Sequence, residues 1–357
     1  MRVLVAMSGG VDSSVAASLL ADAGHDVVGC TLKLWGGESD AGCCSAADVD
    51  DARRVAQVLG IDHHVFNLAE RFEADVVDPY VAAHARGETP NPCVACNRSI
   101  KFGELLSRAS RLGFDALATG HHARVVREGP IPQLRRGADA GKDQSYVLGF
   151  LGVEELARLV LPVGELTKAE VRARAHAAGL RTAAKPDSQE VCFIPRKGRG
   201  RFLAERTALT PGVVVERASG VELGTVPAVE LVTVGQRRGI GPGHGGVARY
   251  VAEVDPSTAT IYVTTREELD VAHVDLAPDS LRWSGAPRTL PARVLVQASA
   301  HGPALAATLS DGDGLIAVLD RAARPAAPGQ LAVFYDHEDP DLVLGAATVA
   351  RRALAAA

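Results

Sequence analysis

The hydrophobic positions in the first 200 residues switch repeatedly between a strand pattern and a helix pattern. Residues 3–7 form an apolar run, residues 8–14 form a polar turn with two glycines, and apolar residues then recur at helical spacing. This order predicts a buried strand, a tight turn and a helix start. Similar units continue as far as a strand at residues 115–122. Four strand–helix units predict an α/β domain with a doubly wound parallel sheet over residues 1–200.

The pattern changes beyond residue 200. Short β-rich runs, such as residues 212–215 and 260–264, alternate there with Gly and Pro turns. A break at residues 271–278 precedes a second β series. We therefore predict a central small β-rich domain over residues 201–276 and a C-terminal β-barrel domain over residues 277–357.

Composition narrows the class of protein. The chain has 357 residues, 47% of them hydrophobic, which is enough to form the cores of two or three domains. We find neither a signal-peptide pattern nor a run of about 18 apolar residues, so we expect a cytoplasmic protein without a membrane partner. Six scattered cysteines indicate thiols, metal ligands or catalysts rather than a disulfide scaffold. A net charge of −5 means that any RNA binding would depend on local basic patches.

The first glycine turn has the properties of a phosphate site. Its glycines let the backbone approach a ligand, and Ser8, Ser13 and Ser14 add hydroxyls beside the amides of a helix start. Because no lysine follows the glycines, a phosphate would be held mainly by amides and hydroxyls. An ordinary glycine-rich turn is the alternative. Leu32 ends the next predicted strand and would line an adenine pocket, or it would be plain core.

Residues 8–13, Ser-Gly-Gly-Val-Asp-Ser, resemble the loop of the PP-loop, or N-type ATP pyrophosphatase, family, whose domain is Rossmann-like. The resemblance implies that ATP is split between its α- and β-phosphates and that a carbonyl-type oxygen is adenylated before a nucleophile displaces AMP. Asp12 lies close to the phosphates and would bind Mg²⁺, with helix capping as the alternative. The implied ATP-binding residues are Ala6, Met7, Ser8, Gly9, Gly10, Val11, Asp12, Ser13, Leu32 and Gly120.

Further motifs follow in order: Asn-Pro-Cys-x-x-Cys-Asn at 91–97, Gly-His-His at 120–122, Lys-Asp-Gln at 142–144, and the segments 187–194 and 235–241. Together with the first loop they resemble the tRNA-specific 2-thiouridylase family over nearly the whole chain. The resemblance implies an enzyme that uses ATP to adenylate the C2 oxygen of the wobble uridine in tRNA and replaces that oxygen with sulfur. It implies two partners, tRNA and a sulfur donor such as a cysteine desulfurase or a relay protein.

Sulfur transfer explains why cysteines would matter. A low-pKa thiol, a persulfide or a metal-bound sulfide can attack the adenylated carbon, and each requires cysteines brought together by folding. The resemblance implies that Cys192 carries the sulfur as a persulfide and that Cys96 resolves the bond by forming a disulfide. We therefore expect both thiols to meet near the turn at Ser8.

Position 93 is Asp in some members of the family and Cys here. Cys93, Cys96 and Cys192 would leave one iron of a 4Fe–4S cluster open to sulfide, which favours a cluster-dependent enzyme. The alternatives are a zinc site completed by His121 or His122 and a redox C-x-x-C pair.

Contacts with tRNA follow from the same resemblance. Basic residues at 196–201, Arg237 and Arg238 could neutralise phosphates, although each could equally be a solvated surface group. The family often has Arg-Tyr in the last domain where this chain has Ser299-Ala300. The implied tRNA-contacting residues are Asn97, His121, Lys142, Asp143, Gln144 and Gln330.

Two other functions compete with this interpretation. A PP-loop ligase that acts on a small-molecule acceptor would need no cysteine trio. A non-catalytic nucleotide- or RNA-binding relative would bind ATP and tRNA but release no AMP. An assay for the formation of 2-thiouridine distinguishes these three functions.

Overall fold

The computed structural model describes residues 1–35, 45–187, 191–194, 198–240 and 247–351. A parallel sheet with helices comes first, followed by a small mixed sheet and a larger antiparallel sheet. This order confirms the predicted α/β domain followed by β-rich domains. The positions from the sequence analysis that lie outside the described residues are 188–190, Arg196, Lys197, Gly241 and the chain from Arg352 onward.

The first part of the chain forms the parallel sheet and a hairpin. Its strands are β1 (Arg2–Ala6), β2 (Asp26–Lys33), β3 (Asp62–Asn67), β4 (Ala116–Thr119), β5 (Ala123–Val126), β6 (Gln133–Arg136) and β7 (Leu159–Val160). The sheet order is β3-β2-β1-β4-β7, and β5 pairs with β6 in the hairpin. The order therefore reverses between β1 and β4. In open α/β sheets, ligands bind beyond the carboxyl ends of the strands at such a reversal.

Both faces of the parallel sheet are buried. Val3 and Val5 of β1 belong to one hydrophobic cluster, whereas Leu4 between them belongs to another. Alternate residues of a strand point to opposite faces, so each side of the sheet has its own core. The helices of this part are α1 (Val11–Asp22), α2 (Ala46–Leu59), α3 (Ala69–Phe72), α4 (Asp78–Ala85), α5 (Pro92–Ala95), α6 (Leu106–Arg111), α7 (Val153–Ala157), α8 (Lys168–Ala177) and α9 (Arg199–Ala204).

Shorter helical segments connect these elements. Two π-helical segments, Glu73–Val77 and Cys96–Leu105, join α3 to α4 and α5 to α6. The 3₁₀ turns are Ser145–Leu148, Arg181–Ala184, Val229–Leu231 and Pro278–Ser280.

The central part forms a small mixed sheet. Its strands are β8 (Gly212–Glu216), β9 (Glu222–Val226), β10 (Tyr250–Asp255) and β11 (Thr260–Thr264). They lie in the order β10-β11-β8-β9, with β8 and β11 parallel. Val214, Val251 and Ile261 lie in the core of this sheet and are almost fully buried.

The last part forms an antiparallel barrel. Its strands are β12 (Val271–Asp275), β13 (Arg282–Trp283), β14 (Ala292–Gln297), β15 (Leu305–Ser310), β16 (Ile316–Ala323), β17 (Leu331–Asp336) and β18 (Val343–Thr348). The sheet order is β12-β16-β15-β14-β17-β18-β13. A bridge between Leu276 and Val349 and a 2.9 Å hydrogen bond from Ala277 N–H to the Thr348 carbonyl connect the ends of β12 and β18. These contacts close the sheet.

The pairing of β12 bears on the domain boundaries. β12 pairs with β16 in the last sheet, although the predicted boundary after residue 276 leaves it in the central domain. The strand pairing therefore favours a boundary before Val271.

The first and last parts share one core. Leu331, Val333 and Tyr335 of β17 belong to the same hydrophobic cluster as Leu4 of β1. The Tyr146 hydroxyl donates to the Leu331 carbonyl at 2.5 Å. Among the residues that the structure describes, none of the helices has the length and apolar character that a membrane span requires.

Candidate active site

The turn after β1 depends on glycine. Gly9 has a φ of +71°, and a Cβ there would lie 2.3 Å from the backbone oxygen of Asp48. A side chain at this position would therefore be strained and would clash with backbone. The Ser8 N–H donates to Ser13 Oγ at 3.1 Å. Backbone conformation and the turn's own hydroxyls thus fix its shape.

The helix behind this turn presents its first amides to the site. The N-cap of α1 is Gly10, which has no side chain that could cap the helix. The first amides of a helix have no partner within the helix, so they favour an anion. Gly120 closes the other side of the turn, because a Cβ there would lie 2.5 Å from Ser13 N. The reversal point between β1 and β4 therefore brings the two predicted glycine elements together.

The remaining predicted ATP-binding residues lie at the end of β1, at the start of α1 and in β2. Ala6 ends β1, and the Met7 N–H donates to the Cys30 carbonyl at 2.7 Å. Val11 is buried at the start of α1. Leu32 is also buried, and it lies in the hydrophobic cluster on one face of the sheet.

Asp12 does not cap the helix but faces two basic side chains. Lys168 Nζ lies 2.8 and 2.7 Å from the two Asp12 carboxylate oxygens, and His122 Nε2 lies 3.0 Å from Oδ1. Burial raises the pKa of Asp12, but the hydrogen bonds from His122 and Lys168 outweigh this effect and lower the pKa. Asp12 therefore stays ionised beside the turn after β1, and Lys168 supplies the ammonium group that the turn itself lacks.

Asp187 is surrounded by three cations. Lys142 Nζ, Lys168 Nζ and an Arg172 guanidinium nitrogen each lie 2.8 Å from its carboxylate. Burial raises the pKa of Asp187, but the bonds from Lys142 and Lys168 lower it to about 2. Lys168 is thus shared between Asp12 and Asp187, and it links the turn after β1 to the segment that leads to Cys192.

Lys185 connects the same segment to the back of the turn. Its Nζ donates to the Gly9 carbonyl at 3.0 Å, to Asp48 at 2.6 Å and to Asp51 at 2.8 Å. Burial lowers the pKa of Lys185, but the bonds to Asp48 and Asp51 raise it overall. Residues 185–187 are therefore connected to the turn after β1 directly through Lys185 and Gly9, and indirectly through Lys168, which contacts both Asp187 and Asp12.

The C-x-x-C pair lies on the first turn of a helix. Asn91 Oδ1 accepts the Cys93 N–H at 3.0 Å and so caps α5, which Pro92 begins. Cys93 is exposed and Cys96 is buried. Residues three apart lie on the same face of a helix, so the two thiols point to the same side.

Cys192 reaches the same core as Cys96. Cys96 belongs to the hydrophobic cluster on one face of the sheet, and the half-buried Cys192 packs against that cluster. Phe193 beside it is 1% exposed. Its ring centroid lies between 5.3 and 6.1 Å from those of Trp35, Phe72, Tyr80 and Phe202.

The cysteines do not form a metal-binding group as placed. Across residues 1–35, 45–187, 191–194, 198–240 and 247–351, no three His, Cys, Asp or Glu side chains are grouped so that they could hold a metal ion. Cys93, Cys96 and Cys192 in this arrangement therefore do not fit an iron–sulfur cluster, nor do they fit zinc with His121 or His122.

Similar proteins identify the family to which this chain belongs. Residues 1–196 match the family model described as the tRNA methyl transferase HUP domain, and residues 200–265 match the corresponding PRC-barrel domain. A protein from Salinispora arenicola named tRNA-specific 2-thiouridylase MnmA is 48% identical over 98% of this chain and 99% of its own length. A protein of the same name from Mycolicibacterium smegmatis is 46% identical over 99% of this chain and all of its own length. The chain belongs to the tRNA-specific 2-thiouridylase (MnmA) family.

Solved structures show a more distant likeness. A 4-thiouridine synthetase in complex with RNA and ATP covers 54% of this chain and 44% of its own, with a TM-score of 0.36 and 19% identity. The U34-tRNA thiolase NcsA from Methanococcus maripaludis, solved with its 4Fe–4S cluster, covers 57% of this chain and 63% of its own. Its TM-score is 0.35 and its identity is 19%.

Three of the positions matched to tRNA contacts in the 2-thiouridylase family are buried. Asn97 is 2% exposed, and its amide nitrogen donates to the Val147 carbonyl at 3.2 Å. His121 hydrogen-bonds Thr119 at 2.8 Å, and burial lowers its pKa well below the usual value, so the ring is neutral. The third, Asp143, forms a 2.8 Å ion pair with a guanidinium of the adjacent hairpin.

The other three positions also have partners within the chain. Gln144 Oε1 accepts the His122 N–H at 2.9 Å, while Lys142 pairs with Asp187. Gln330 donates to the Thr89 carbonyl, four residues before Cys93. These residues therefore hold the strand ends and loops around the site.

Sequence reasoning missed Lys168, Lys185 and Arg172. In the sequence, Thr167 and Glu170 have the spacing of a capping box, which is typical of a helix start, and Lys168 is the first residue of α8. Nothing local indicated that this residue would face Asp12, which is 156 positions away in the chain.

Proposed function

We propose that this protein is an ATP-dependent tRNA-uridine 2-sulfurtransferase. The observation that carries the proposal is the end-to-end match, at 46% to 48% identity, with relatives named tRNA-specific 2-thiouridylase. The glycine turn beside Asp12 and Lys168 supports ATP binding. The thiols of Cys96 and Cys192, which share one hydrophobic cluster, support sulfur transfer.

In the first step, the amides of α1 and the hydroxyls of the turn hold the ATP phosphates. The uridine C2 oxygen attacks the α-phosphorus, and pyrophosphate leaves. If Lys168 turns from both Asp12 oxygens toward the phosphates, Asp12 would be free to hold a magnesium ion, because Mg²⁺ commonly takes one or two carboxylates together with phosphate oxygens and water. Bound there, the ion would neutralise charge on the phosphates. Lys168 is placed to stabilise the negative charge that develops as pyrophosphate departs.

In the second step, the adenylated C2 carbon accepts sulfur. A persulfide on Cys192, loaded by a sulfur donor, attacks C2, and the C2–O bond breaks to release AMP. The Cys96 thiolate then attacks the Cys192 sulfur, which forms a Cys96–Cys192 disulfide and leaves the terminal sulfur on the base. A thiol reductant must restore both cysteines before the next turnover.

A 4Fe–4S cluster on Cys93, Cys96 and Cys192 is the alternative sulfur carrier. Three thiolates would leave one iron open to sulfide. The described positions of these residues do not fit such a cluster, so we derive no step through it. Two measurements distinguish the cluster from the persulfide as sulfur carrier. They are the visible absorption of anaerobically purified protein and the tRNA-thiolation activity of the Cys93→Ser variant. A coloured protein that loses both colour and activity in Cys93→Ser supports the cluster, whereas a colourless, active variant supports the persulfide.

The partners in this proposal are tRNA and a sulfur donor, and the reaction takes place in the cytoplasm. Lys142 is partly accessible, with 40% of its side chain exposed. We infer that Lys142, Gln144 and Gln330 exchange internal partners for tRNA. The buried Asn97, His121 and Asp143 hold the surrounding loops in place.

The decisive test is formation of 2-thiouridine. Purified protein with ATP, Mg²⁺, a sulfur source and unmodified tRNA should yield 2-thiouridine on nucleoside mass spectrometry, and Cys192→Ser should not. Cys30→Ala is the matched control, because burial raises the pKa of the Cys30 thiol to about 12 and keeps it protonated. AMP release without a thiolated base would indicate another acceptor, and the absence of both products would indicate a non-catalytic binding protein.

A further inference from the structure

Cys93 is left without a task when sulfur passes through Cys192 and Cys96. Its side chain is exposed, and it lies three positions before Cys96, which is 8% exposed. Within the residues that the structure describes, the three cysteines do not group into a metal site. The second thiol of the C-x-x-C pair therefore has to be explained by the chemistry of thiols rather than by metal binding.

The helical spacing of the pair suits a disulfide. Cys96 keeps helical backbone angles, with a φ of −60° and a ψ of −46°. In an α-helix, residues three apart have Cα atoms roughly 5 Å apart, within the separation of about 4.4 to 6.8 Å that a disulfide bridges. Asn91 fixes the Cys93 N–H at 3.0 Å. The first turn of α5 therefore places two thiols within disulfide reach without the help of a distant segment.

Burial limits how a reductant can reach the oxidised enzyme. Sulfur transfer joins Cys96 to Cys192, and thiol–disulfide exchange requires a thiolate to approach one of these two sulfurs. Cys96 is buried, and Cys192 is half-buried against the same hydrophobic cluster. Cys93 is the exposed member of the three. It also lies within the same molecule, where well-oriented groups react at a high effective concentration.

We propose that Cys93 is a second resolving thiol that regenerates Cys192. The Cys93 thiolate attacks Cys96 Sγ, so a Cys93–Cys96 bond forms as the Cys96–Cys192 bond breaks and Cys192 leaves as a thiolate. This exchange neither consumes nor supplies electrons. A dithiol protein then reduces the Cys93–Cys96 disulfide with two electrons and becomes a disulfide itself, while the released thiolates take protons from water. The inference rests on the proposed function, because it starts from the disulfide that sulfur transfer leaves.

The test traps the disulfides that one round of thiolation leaves in the full-length protein. The protein is loaded with persulfide by a cysteine desulfurase and cysteine, separated from both, and mixed anaerobically with ATP, Mg²⁺ and unmodified tRNA. N-ethylmaleimide then blocks the remaining thiols, and mass spectrometry of unreduced peptides identifies each disulfide. In the wild type, we expect the greater part of the oxidised protein to carry Cys93–Cys96, with Cys192 alkylated. In Cys93→Ser, we expect Cys96–Cys192 to accumulate, with the wild-type yield of 2-thiouridine in this first round.

Two controls accompany the trapping experiment. Omission of ATP should leave little disulfide, which would show that the disulfides arise from turnover. Cys30→Ala should give the wild-type distribution, because the Cys30 thiol is fully buried and burial raises its pKa to about 12. In Cys93→Ser, Cys30 should stay unlabelled, which would show that this variant is folded.

Repeated turnover provides an independent measurement. With the dithiol protein thioredoxin as limiting reductant, we expect Cys93→Ser to form 2-thiouridine roughly fivefold more slowly than the wild type after the first round. An excess of dithiothreitol, a small dithiol that reaches half-buried sulfur, should bring the two rates together.

Three results would overturn the inference and leave the proposed function standing. The wild type could form 2-thiouridine and carry only the Cys96–Cys192 disulfide. Cys93→Ser could match the wild type with limiting thioredoxin. Cys93→Ser could also lose the first round of thiolation, which would indicate a cluster ligand. If the wild type forms neither 2-thiouridine nor a tRNA-dependent disulfide, the proposed function fails and this inference fails with it.

Discussion

At the scale of single residues, the nucleotide site combines local and distant contributions. The glycines and serines of the turn are adjacent in the sequence, whereas Lys168 comes from α8 and lies within 2.8 Å of Asp12. The turn proposed to bind phosphate has no lysine of its own and therefore acquires one through folding. This ammonium group is available where pyrophosphate is expected to depart.

Lys168→Met should slow adenylation at saturating ATP by roughly 100-fold, because it removes a charge aimed at the departing pyrophosphate. The measurement is pyrophosphate released in a single turnover with tRNA. Arg174→Gln, an exposed change on the same helix, should release pyrophosphate at the wild-type rate. If Lys168→Met releases pyrophosphate at more than half the wild-type rate, this lysine does not take part in the mechanism.

At the scale of elements, helix starts and helix packing place the reactive groups. Asn91 caps the helix of the C-x-x-C pair by accepting the N–H of the residue two positions later. Helix α4 contacts the central domain through His84, whose Nδ1 lies 3.1 Å from the Glu230 carbonyl. The two contacts lead to separate predictions.

Asn91→Ala should lower the free energy of unfolding by about 1 kcal/mol, since it removes an N-cap. It should also change the alkylation rate of Cys93, because the cap fixes the Cys93 backbone. Asp255→Ala removes the same type of bond, to Ser257 N–H at 2.9 Å, in a turn of the central domain. This control should leave Cys93 labelling unchanged, and equal labelling in both variants would contradict the prediction.

His84 should make the protein less stable in mild acid. Burial, with a smaller contribution from Arg199, lowers its pKa to about 4, whereas an unfolded histidine titrates near 6.5. The unfolded chain therefore binds the proton first, and stability is lost as the pH falls from about 6.5 to 4. The Tm of His84→Gln should fall less steeply across this window than that of the wild type. His301 is exposed, and His301→Gln should show the wild-type slope of Tm against pH. If the Tm of His84→Gln falls as steeply as that of the wild type, His84 does not cause the loss of stability in acid.

At the scale of the whole molecule, the first and last parts should unfold together. Their hydrophobic residues lie in one cluster, and ion pairs of Arg124 with Asp341 and of Arg135 with Asp339 join the hairpin to the barrel. Scanning calorimetry should show one transition for both parts. Tyr146→Phe, which deletes the bond to the Leu331 carbonyl, should destabilise that transition by about 1 kcal/mol. Separate transitions, only one of them shifted by Tyr146→Phe, would show that the parts are independent.

The local features of the molecule could be predicted from the sequence. The strand, the glycine turn and the α1 start lie within one continuous stretch, and the capping box of Thr167 and Glu170 is a local signal for the start of α8. The long-range features could not be predicted. The contact of Lys168 with Asp12, the burial of Asn97 and the pairing of β12 with β16 all depend on which distant segments meet.

In the proposed reaction, ATP activates the C2 oxygen of the wobble uridine so that sulfur can replace it. The most direct measurement uses tRNA that carries ¹⁸O at that C2 position and follows the label by mass spectrometry. As 2-thiouridine forms, we expect the ¹⁸O to appear in AMP in equal amount. Unlabelled AMP formed alongside 2-thiouridine would contradict adenylation of the C2 oxygen.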